Sequence, residues 1–286
     1  MTRFIKKHLL LIKEHLLPLT VTLLIASCTA APQDTRRKIM VTIEPLRYFT
    51  EQIAGDKFAV STMVPQGGNP ETYEPTTRQM MKLAESDLYI KVGNIGFERA
   101  WMKKLIQNAP HTIIIDSSEG IEPAHSSRGV TDPHTWMSAS NAKLIARNIY
   151  HALVSIDERD SAAYRKNYEA LTDSIKATDM RLREQLTRDK SQAFLIDHPA
   201  LTYFARDYGL LQIPVEEEGR EPSAAQMRKT IQLARNKKVR VMFVQKMFEN
   251  GSTKTVSQEV GAETETINPL SRDWSEEMVN IAKKLK

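Results

Sequence analysis

The sequence predicts an α/β fold with two lobes, each with a mainly parallel sheet and flanking helices, joined by one long linking helix. Short apolar runs alternate with helical patterns on both sides of the middle of the chain, which is typical of parallel sheets covered by helices. Between them, residues 157–190 contain neither Gly nor Pro, and apolar residues recur in steps of three and four. Such a helix spans roughly 45 Å, more than the width of one small domain. A coiled coil is the alternative, but the apolar stripe is short and its flanks lack heptads.

The first 27 residues have the features of an export signal. Four basic residues at the start, Arg3, Lys6, Lys7 and Lys13, precede an apolar run that is too short to span a bilayer comfortably. The run ends at Ile25-Ala-Ser-Cys28, which resembles the lipobox of bacterial lipoproteins, where the signal is removed before a cysteine that becomes lipidated. An incidental thiol is the alternative. As the only cysteine, Cys28 cannot form an intramolecular disulfide.

The resemblance to a lipobox implies an extracytoplasmic protein held in the cell envelope by a lipid anchor, on the periplasmic side or the cell surface. Removal of the signal takes the formal charge from +5 to about +2. No basic patch is interleaved with aromatic residues, so we expect no nucleic-acid partner. Residues 28–37 are predicted to be a polar tether, and the remaining roughly 250 residues suit two domains.

The first lobe is predicted at residues 38–156 and carries two loops of interest. Its strands are expected at 38–43, 58–64, 88–92 and 112–116, and its helices at 46–54, 77–86, 97–108 and 140–156. Ligands of parallel sheets lie outside the carboxyl ends of the strands. Two loops at such ends contain Glu71 and His134, each next to a proline. Proline stiffens the backbone, so a ligand beside it loses less ordering entropy on binding.

The second lobe is predicted at residues 191–286 with the same alternation. Its strands are expected at 193–197, 211–215, 239–244 and 265–267. Its helices are expected after Pro199 as far as Gly209, and at 223–236, 253–261 and 274–285. The same reasoning places His198, the acidic run 216–218, Gln245 and the loop 268–273 at one end of a second sheet. We interpret the acidic run as a solvated loop.

Three ionisable residues from separate loops share these properties. Glu71, His134 and His198 each adjoin a proline and each lie at the carboxyl end of a strand. Two lobes that face each other could bring them together with a fourth group from the loop 268–273. Imidazole with carboxylate suits zinc, and also manganese or iron(II).

Five segments in this order resemble the zinc- and manganese-binding solute-binding proteins of ABC transporters, the cluster A-I family. They are Asn69-Pro-Glu-Thr-Tyr-Glu-Pro75, Asp132-Pro-His-Thr-Trp136, His198-Pro-Ala-Leu-Thr-Tyr-Phe-Ala205, Glu221-Pro-Ser223 and Asn268-Pro-Leu270. The resemblance covers nearly all of the mature chain. It implies a monomeric receptor that holds a divalent metal ion between two lobes and delivers it to an ABC permease, without catalysis.

The resemblance also suggests a ligand set, with two departures. His134 and His198 match ligands of the family, whereas Glu71 stands where the family commonly has His. Asn268 stands where the family commonly has Asp, and a neutral amide oxygen is a weaker ligand. Asp273 is an alternative, so the fourth position is open between Asp273, Asn268 and water. Zinc is the expected ion, although the mixed donor set also admits manganese.

Other functions fit parts of the same pattern. A zinc metallohydrolase would need a base and a substrate pocket, and the sequence has neither a His-Glu-x-x-His helix nor a nucleophile elbow. Related helix-linked binding proteins carry haem, corrinoids or metal chelates, but they do not need both histidines at the cleft. A surface lipoprotein could also act as an adhesin.

Overall fold

The structure is a computed structural model that describes residues 34–125, 129–186, 192–216, 221–245 and 251–285. The predicted signal and Cys28 lie outside these residues. Residues Arg36–Lys286 form one compact unit. In the part of the chain that is described, no helix is long and apolar enough to cross a membrane.

The first sheet is parallel and four-stranded. Strands β1 (Arg37–Val41), β2 (Phe58–Thr62), β3 (Leu88–Lys91) and β4 (Ile113–Asp116) are arranged in the order β2-β1-β3-β4. Helices α1 (Glu44–Ala54), α2 (Thr77–Ala84), α3 (Gly96–Asn108) and α4 (Ala139–Ile156) connect or follow them. Consecutive residues of β1 and β3 are buried, which is the pattern of strands covered on both faces. Helix α1 starts two residues earlier than expected, because Pro45 is accommodated in a first turn that needs no amide donor there.

The long helix α5 (Ser161–Leu186) has 26 residues and follows a 3-10 turn at Glu158–Asp160. At about 1.5 Å per residue it measures roughly 39 Å. Asp157, the predicted N-cap, is both the C-cap of α4 and the N-cap of this 3-10 turn, and its carboxylate accepts a hydrogen bond of 2.7 Å from the Tyr164 hydroxyl. The predicted residues 187–190 lie outside the described part. The stripe of buried residues along α5, Tyr164, Leu171, Ile175, Thr178 and Leu182, packs against α1 and α4 and against the last helix.

The second sheet repeats the arrangement of the first. Strands β5 (Ala193–Ile196), β6 (Leu211–Pro214), β7 (Val241–Val244) and β8 (Glu263–Thr266) are parallel, in the order β6-β5-β7-β8. Its helices are α6 (Thr202–Tyr208), α7 (Ala224–Asn236), α8 (Gly251–Val260) and α9 (Trp274–Lys284). The predicted fold class is therefore confirmed.

Two tryptophans fasten the lobes to each other. The indole Nε1 of Trp136, after β4, donates a hydrogen bond of 2.8 Å to the carbonyl of Pro269. The indole Nε1 of Trp274, at the start of α9, donates one of 2.7 Å to the carbonyl of Trp136. Trp274 also packs on Phe49 of α1, with ring centroids 5.2 Å apart. This reciprocal pair, here called the tryptophan clasp, is buried and connects loops that are more than a hundred residues apart in the chain.

Contacts of α6 add to this connection. The Tyr203 hydroxyl donates to the carbonyl of Asp132 at 2.9 Å, and the Arg206 guanidinium donates to the carbonyl of Glu122 at 3.1 Å. The segment that follows His198 in the second lobe is thus bonded to the segment that precedes His134 in the first.

Candidate metal centre

The three predicted residues converge at the carboxyl ends of the two sheets. Glu71 lies on the loop after β2, His134 on the segment between β4 and α4, and His198 two residues after β5. One carboxylate oxygen of Glu71 and one ring nitrogen of each histidine all lie within 4.8 Å of one another. The arrangement of parallel strands explains this convergence, because it brings loops that are distant in sequence to the same edge.

The two histidines form a close imidazole pair. Their Nε2 atoms are 3.3 Å apart, and the ring planes make an angle of 71°. His134 is 6% exposed and His198 is 7% exposed. Two ligands on a tetrahedral zinc ion with bonds of about 2.0–2.1 Å are about 3.3–3.4 Å apart. The pair therefore has the separation that a four-coordinate ion requires.

Each imidazole is oriented by a carboxylate at its other nitrogen. Nδ1 of His134 is 2.9 Å from Oδ1 of Asp132, and Nδ1 of His198 is 3.1 Å from Oε1 of Glu216. An Nδ1–H that donates to a carboxylate makes Nε2 the nitrogen that can bind an ion, the arrangement that orients most metal-binding histidines.

The position of Glu216 corrects a prediction. We expected the acidic run 216–218 to be solvated, but Glu216 is only 7% exposed. It follows β6, which pairs with β5, so it comes to the same sheet edge as His198. This adjacency is the signal that the sequence analysis missed. The other residues of the run lie outside the described part.

The electrostatics favour an ion pair between His134 and Asp132. Burial disfavours the charged imidazole of His134, but the charge and hydrogen bond of Asp132, with further attraction from Glu71 and Glu216, raise its pKa. Burial likewise opposes ionisation of Asp132, but His134 outweighs it and lowers the pKa of that carboxyl. A cation at Nε2 would therefore find a site that already stabilises positive charge.

The carboxylate of Glu71 is divided between two environments. Its Oε2 accepts a hydrogen bond of 3.1 Å from the backbone amide of Gly96 and lies 3.7 Å from the Arg99 guanidinium. Its Oε1 is buried and has no hydrogen-bond partner among the described residues. A buried carboxylate oxygen without a partner is unfavourable, so this atom is the one that a bound cation would satisfy.

The loop that follows β8 places neither candidate fourth ligand in this group. Asp273 is exposed, and its carboxylate does not belong to the group of mutually close ligand atoms. Asn268 is also exposed, and its side-chain oxygen accepts the amide N–H of Leu270 within the same loop. Arg272 of this loop forms an ion pair with Glu51 of α1.

Gln245 supports the His198 loop from the end of β7. Its side-chain amide donates to the carbonyl of His198 at 3.1 Å, and its backbone amide donates to Asp197 at 2.7 Å. Asp197 also accepts the backbone amide of His198. Burial raises the pKa of Asp197 to about 6.

The chain is similar to known metal-uptake proteins. Residues 39–286 match the family model described as ZnuA, the periplasmic component A of a zinc-uptake complex. Over 273 residues the chain is 26% identical to the high-affinity zinc uptake system protein ZnuA of Bacillus subtilis (strain 168), covering 87% of this chain and 85% of that protein. Over 262 residues it is 30% identical to the manganese ABC transporter substrate-binding lipoprotein PsaA of Streptococcus mitis, covering 84% and 83%. A crystal structure of ZnuA superposes with a TM-score of 0.83 at 35% identity, covering 87% of this chain and 97% of that one.

Proposed function

The chain belongs to the ZnuA family of periplasmic zinc-uptake components, and we propose from this membership that it captures one zinc ion between its lobes and delivers it to an ABC permease. The family consists of metal-binding receptors of ABC importers, not of enzymes. The observation that supports the proposal most strongly is the imidazole pair, whose Nε2 atoms stand 3.3 Å apart beside the carboxylate of Glu71.

The proposed ligands are Nε2 of His134, Nε2 of His198 and Oε1 of Glu71, at about 2.0–2.2 Å from the ion. Water, Asp273 or Asn268 completes the coordination; the exposed positions of Asp273 and Asn268 favour water. Two neutral imidazoles and one carboxylate leave one net positive charge on the occupied centre. Zinc is favoured over manganese because it lies higher in the general affinity order and accepts four ligands.

Manganese is the second candidate ion. The relative PsaA is described as a manganese-transporter protein, and a carboxylate in place of a third imidazole makes the donor set more acceptable to that ion. A bound chelate or corrinoid would not require the imidazole pair. A metallohydrolase would hydrolyse a substrate in the presence of zinc, whereas a receptor only binds and releases the ion.

The remaining features of the proposal concern the place of the protein in the cell. Residues 1–27 are removed on export, Cys28 is lipidated, and residues 28–37 tether a monomeric receptor outside the cytoplasm. The receptor comprises a first lobe at 38–156, a linking helix at 157–190 and a second lobe at 191–286. The lipoprotein PsaA supports the anchor by similarity.

Metal content and direct titration test the proposed function. We expect elemental analysis of the protein, purified without its signal, to find one zinc per chain. Calorimetric titration of the metal-free protein with zinc alone, and separately with manganese, should give one site with the tighter binding for zinc. Failure of free zinc to bind, or hydrolytic turnover in the presence of zinc, would contradict the proposal.

A further inference from the structure

The N-terminus of α3 is capped by the loop that carries Glu71. Residue Ile95 precedes the helix and its side chain provides no cap, so the first amides of α3 need other acceptors. The amide of Gly96 donates to Oε2 of Glu71, and the amide of Phe97 donates to the carbonyl of Pro70 at 2.9 Å. The positive end of the helix dipole also attracts the carboxylate. One oxygen of Glu71 is therefore already engaged.

Glycine is the residue that allows this approach. A Cβ at position 96 would lie within 3.0 Å of the carbonyl oxygen, the Cα and the Oε2 of Glu71. Two of these three atoms are backbone, so they cannot give way by a change of rotamer. Any side chain at position 96 would push Glu71 away from the amide and displace its carboxylate, one oxygen of which lies within 4.8 Å of a ring nitrogen of each histidine.

We propose that Gly96 and the N-terminus of α3 hold Glu71 as a ligand with one oxygen, so that Gly96 determines the preference of the centre for a four-coordinate ion. This inference rests on the proposed function. The two oxygens of the carboxylate have different roles, since Oε2 is bonded to the helix and Oε1 is buried without a partner.

The number of ligand atoms that the centre supplies decides whether zinc or manganese binds more tightly. A carboxylate with two free oxygens can bind one ion through both, which suits ions with many oxygen ligands. With Oε2 retained by Gly96, Glu71 and the imidazole pair supply three atoms, and one more completes the tetrahedron that zinc prefers. Manganese favours an octahedral, oxygen-rich site and would have to recruit three further ligands. The hydrogen bond from Gly96 at the N-terminus of α3 thus weakens manganese binding more than zinc binding.

The test compares Gly96→Ala with the parent protein, both without metal at the start. Affinities for zinc and for manganese are measured by competition with a chelating dye, and cobalt(II) reports the coordination number through its visible absorption. The parent should give the intense cobalt bands of a four-coordinate ion. Gly96→Ala should lower zinc affinity by about 10–100-fold, the usual range for residues that orient a ligand. Manganese affinity should fall by a smaller factor, and the cobalt bands should weaken.

A double-mutant cycle with Glu71→Ala shows whether Gly96 acts through Glu71. In the Glu71→Ala background, Gly96→Ala should change zinc affinity by less than about twofold, since coupled residues are not additive. If Gly96→Ala does not fold, Arg99→Met serves instead. The half-exposed Arg99 guanidinium lies 3.7 Å from Oε2 of Glu71, and its loss adds no atom beside that carboxylate. Without it Oε2 is held less firmly, so zinc affinity should fall slightly more than manganese affinity.

Three results would overturn the inference while leaving the proposed function intact. They are equal losses for zinc and manganese, additive effects in the double variant, and weak six-coordinate cobalt bands in a parent that binds zinc. A parent protein that binds no zinc would instead refute the proposed function itself.

Discussion

The Nε2 atoms of His134 and His198 face each other at 3.3 Å, although the two residues belong to different lobes. With each Nδ1 directed at a carboxylate, the two Nε2 atoms point toward each other, where a shared proton or a cation can join them. Contacts elsewhere have to hold the two segments in this position. The tryptophan clasp and the contacts of α6 do so, because they join the segments that carry the two rings.

Removal of either imidazole should abolish tight binding. We expect His134→Ala, His198→Ala and Glu71→Ala each to reduce zinc affinity by more than the about 10–100-fold typical of residues outside the ligand set. His151→Ala is the matched control, since His151 is exposed on α4 and its ring lies tilted against that of its neighbour Tyr150, outside the group of close ligand atoms. Calorimetric titration measures all four. Unchanged affinity in both histidine variants would remove the basis of the proposed function.

The clasp should contribute to both stability and binding. Trp274→Phe keeps an aromatic ring against Phe49 but removes the donor to the carbonyl of Trp136. A buried carbonyl left without a partner costs about 1–3 kcal/mol, so urea unfolding should show a loss of this size. Zinc should also dissociate faster, because the His134 segment is less fixed. Trp101→Phe on α3 is the control. A loss of stability with an unchanged dissociation rate would limit the clasp to a role in folding.

Buried Glu98 should make stability depend on pH. Burial raises the pKa of Glu98, although hydrogen bonds from Thr42, Val92 and Gly93 oppose this. The folded protein then holds a proton on Glu98 at pH values where the unfolded chain has lost it. Stability from this group is present below the unfolded pKa and is lost as pH rises through the raised value. The free energy of unfolding of the parent, relative to that of Glu98→Gln, should therefore fall as the pH rises above the ordinary pKa range of a glutamate, and urea unfolding at several pH values measures this. A constant difference would contradict this explanation.

Lipidation at Cys28 can be tested in the intact cell. Mass spectrometry of the mature protein should find an acylated cysteine at its N-terminus. Cys28→Ala should lack the acyl group and escape normal processing. If this variant is processed and membrane-bound like the parent, the lipobox interpretation is incorrect.

Metal binding should change the overall dimensions very little. Helix α5 packs on both lobes, and the clasp joins their loops, so movement should be confined to the segments that carry Glu71, His134 and His198. Small-angle scattering with and without zinc should give nearly the same radius of gyration. A marked compaction on adding zinc would be incompatible with this rigidity.

The sequence predicted correctly those parts of the site whose place is set by regular helices and strands. The carboxyl ends of parallel strands predicted the loops of Glu71, His134 and His198, because strand and helix periods can be read along the chain. The role of Glu216 was not visible, since an acidic run resembles a solvated loop until the pairing of β5 with β6 is known. The close approach of Gly96 to Glu71 was also hidden, because it depends on contact between residues 25 positions apart. Asn268 came from the resemblance to a family and Asp273 from its place in the same loop. Both are exposed, because a position in the sequence does not fix where a loop side chain points.

The clasp also limits how this receptor can report its contents. In a binding protein whose lobes close around the ligand, the overall shape changes on binding, and a partner can recognise the closed form. Here the clasp joins the lobes, so we expect the protein with and without metal to have nearly the same overall dimensions. We expect a transporter to recognise the loaded molecule from the local charge and order of the surface around Glu71. A transporter would then distinguish the metal-bound from the metal-free protein by a few side chains at the mouth of the cleft, and not by overall shape.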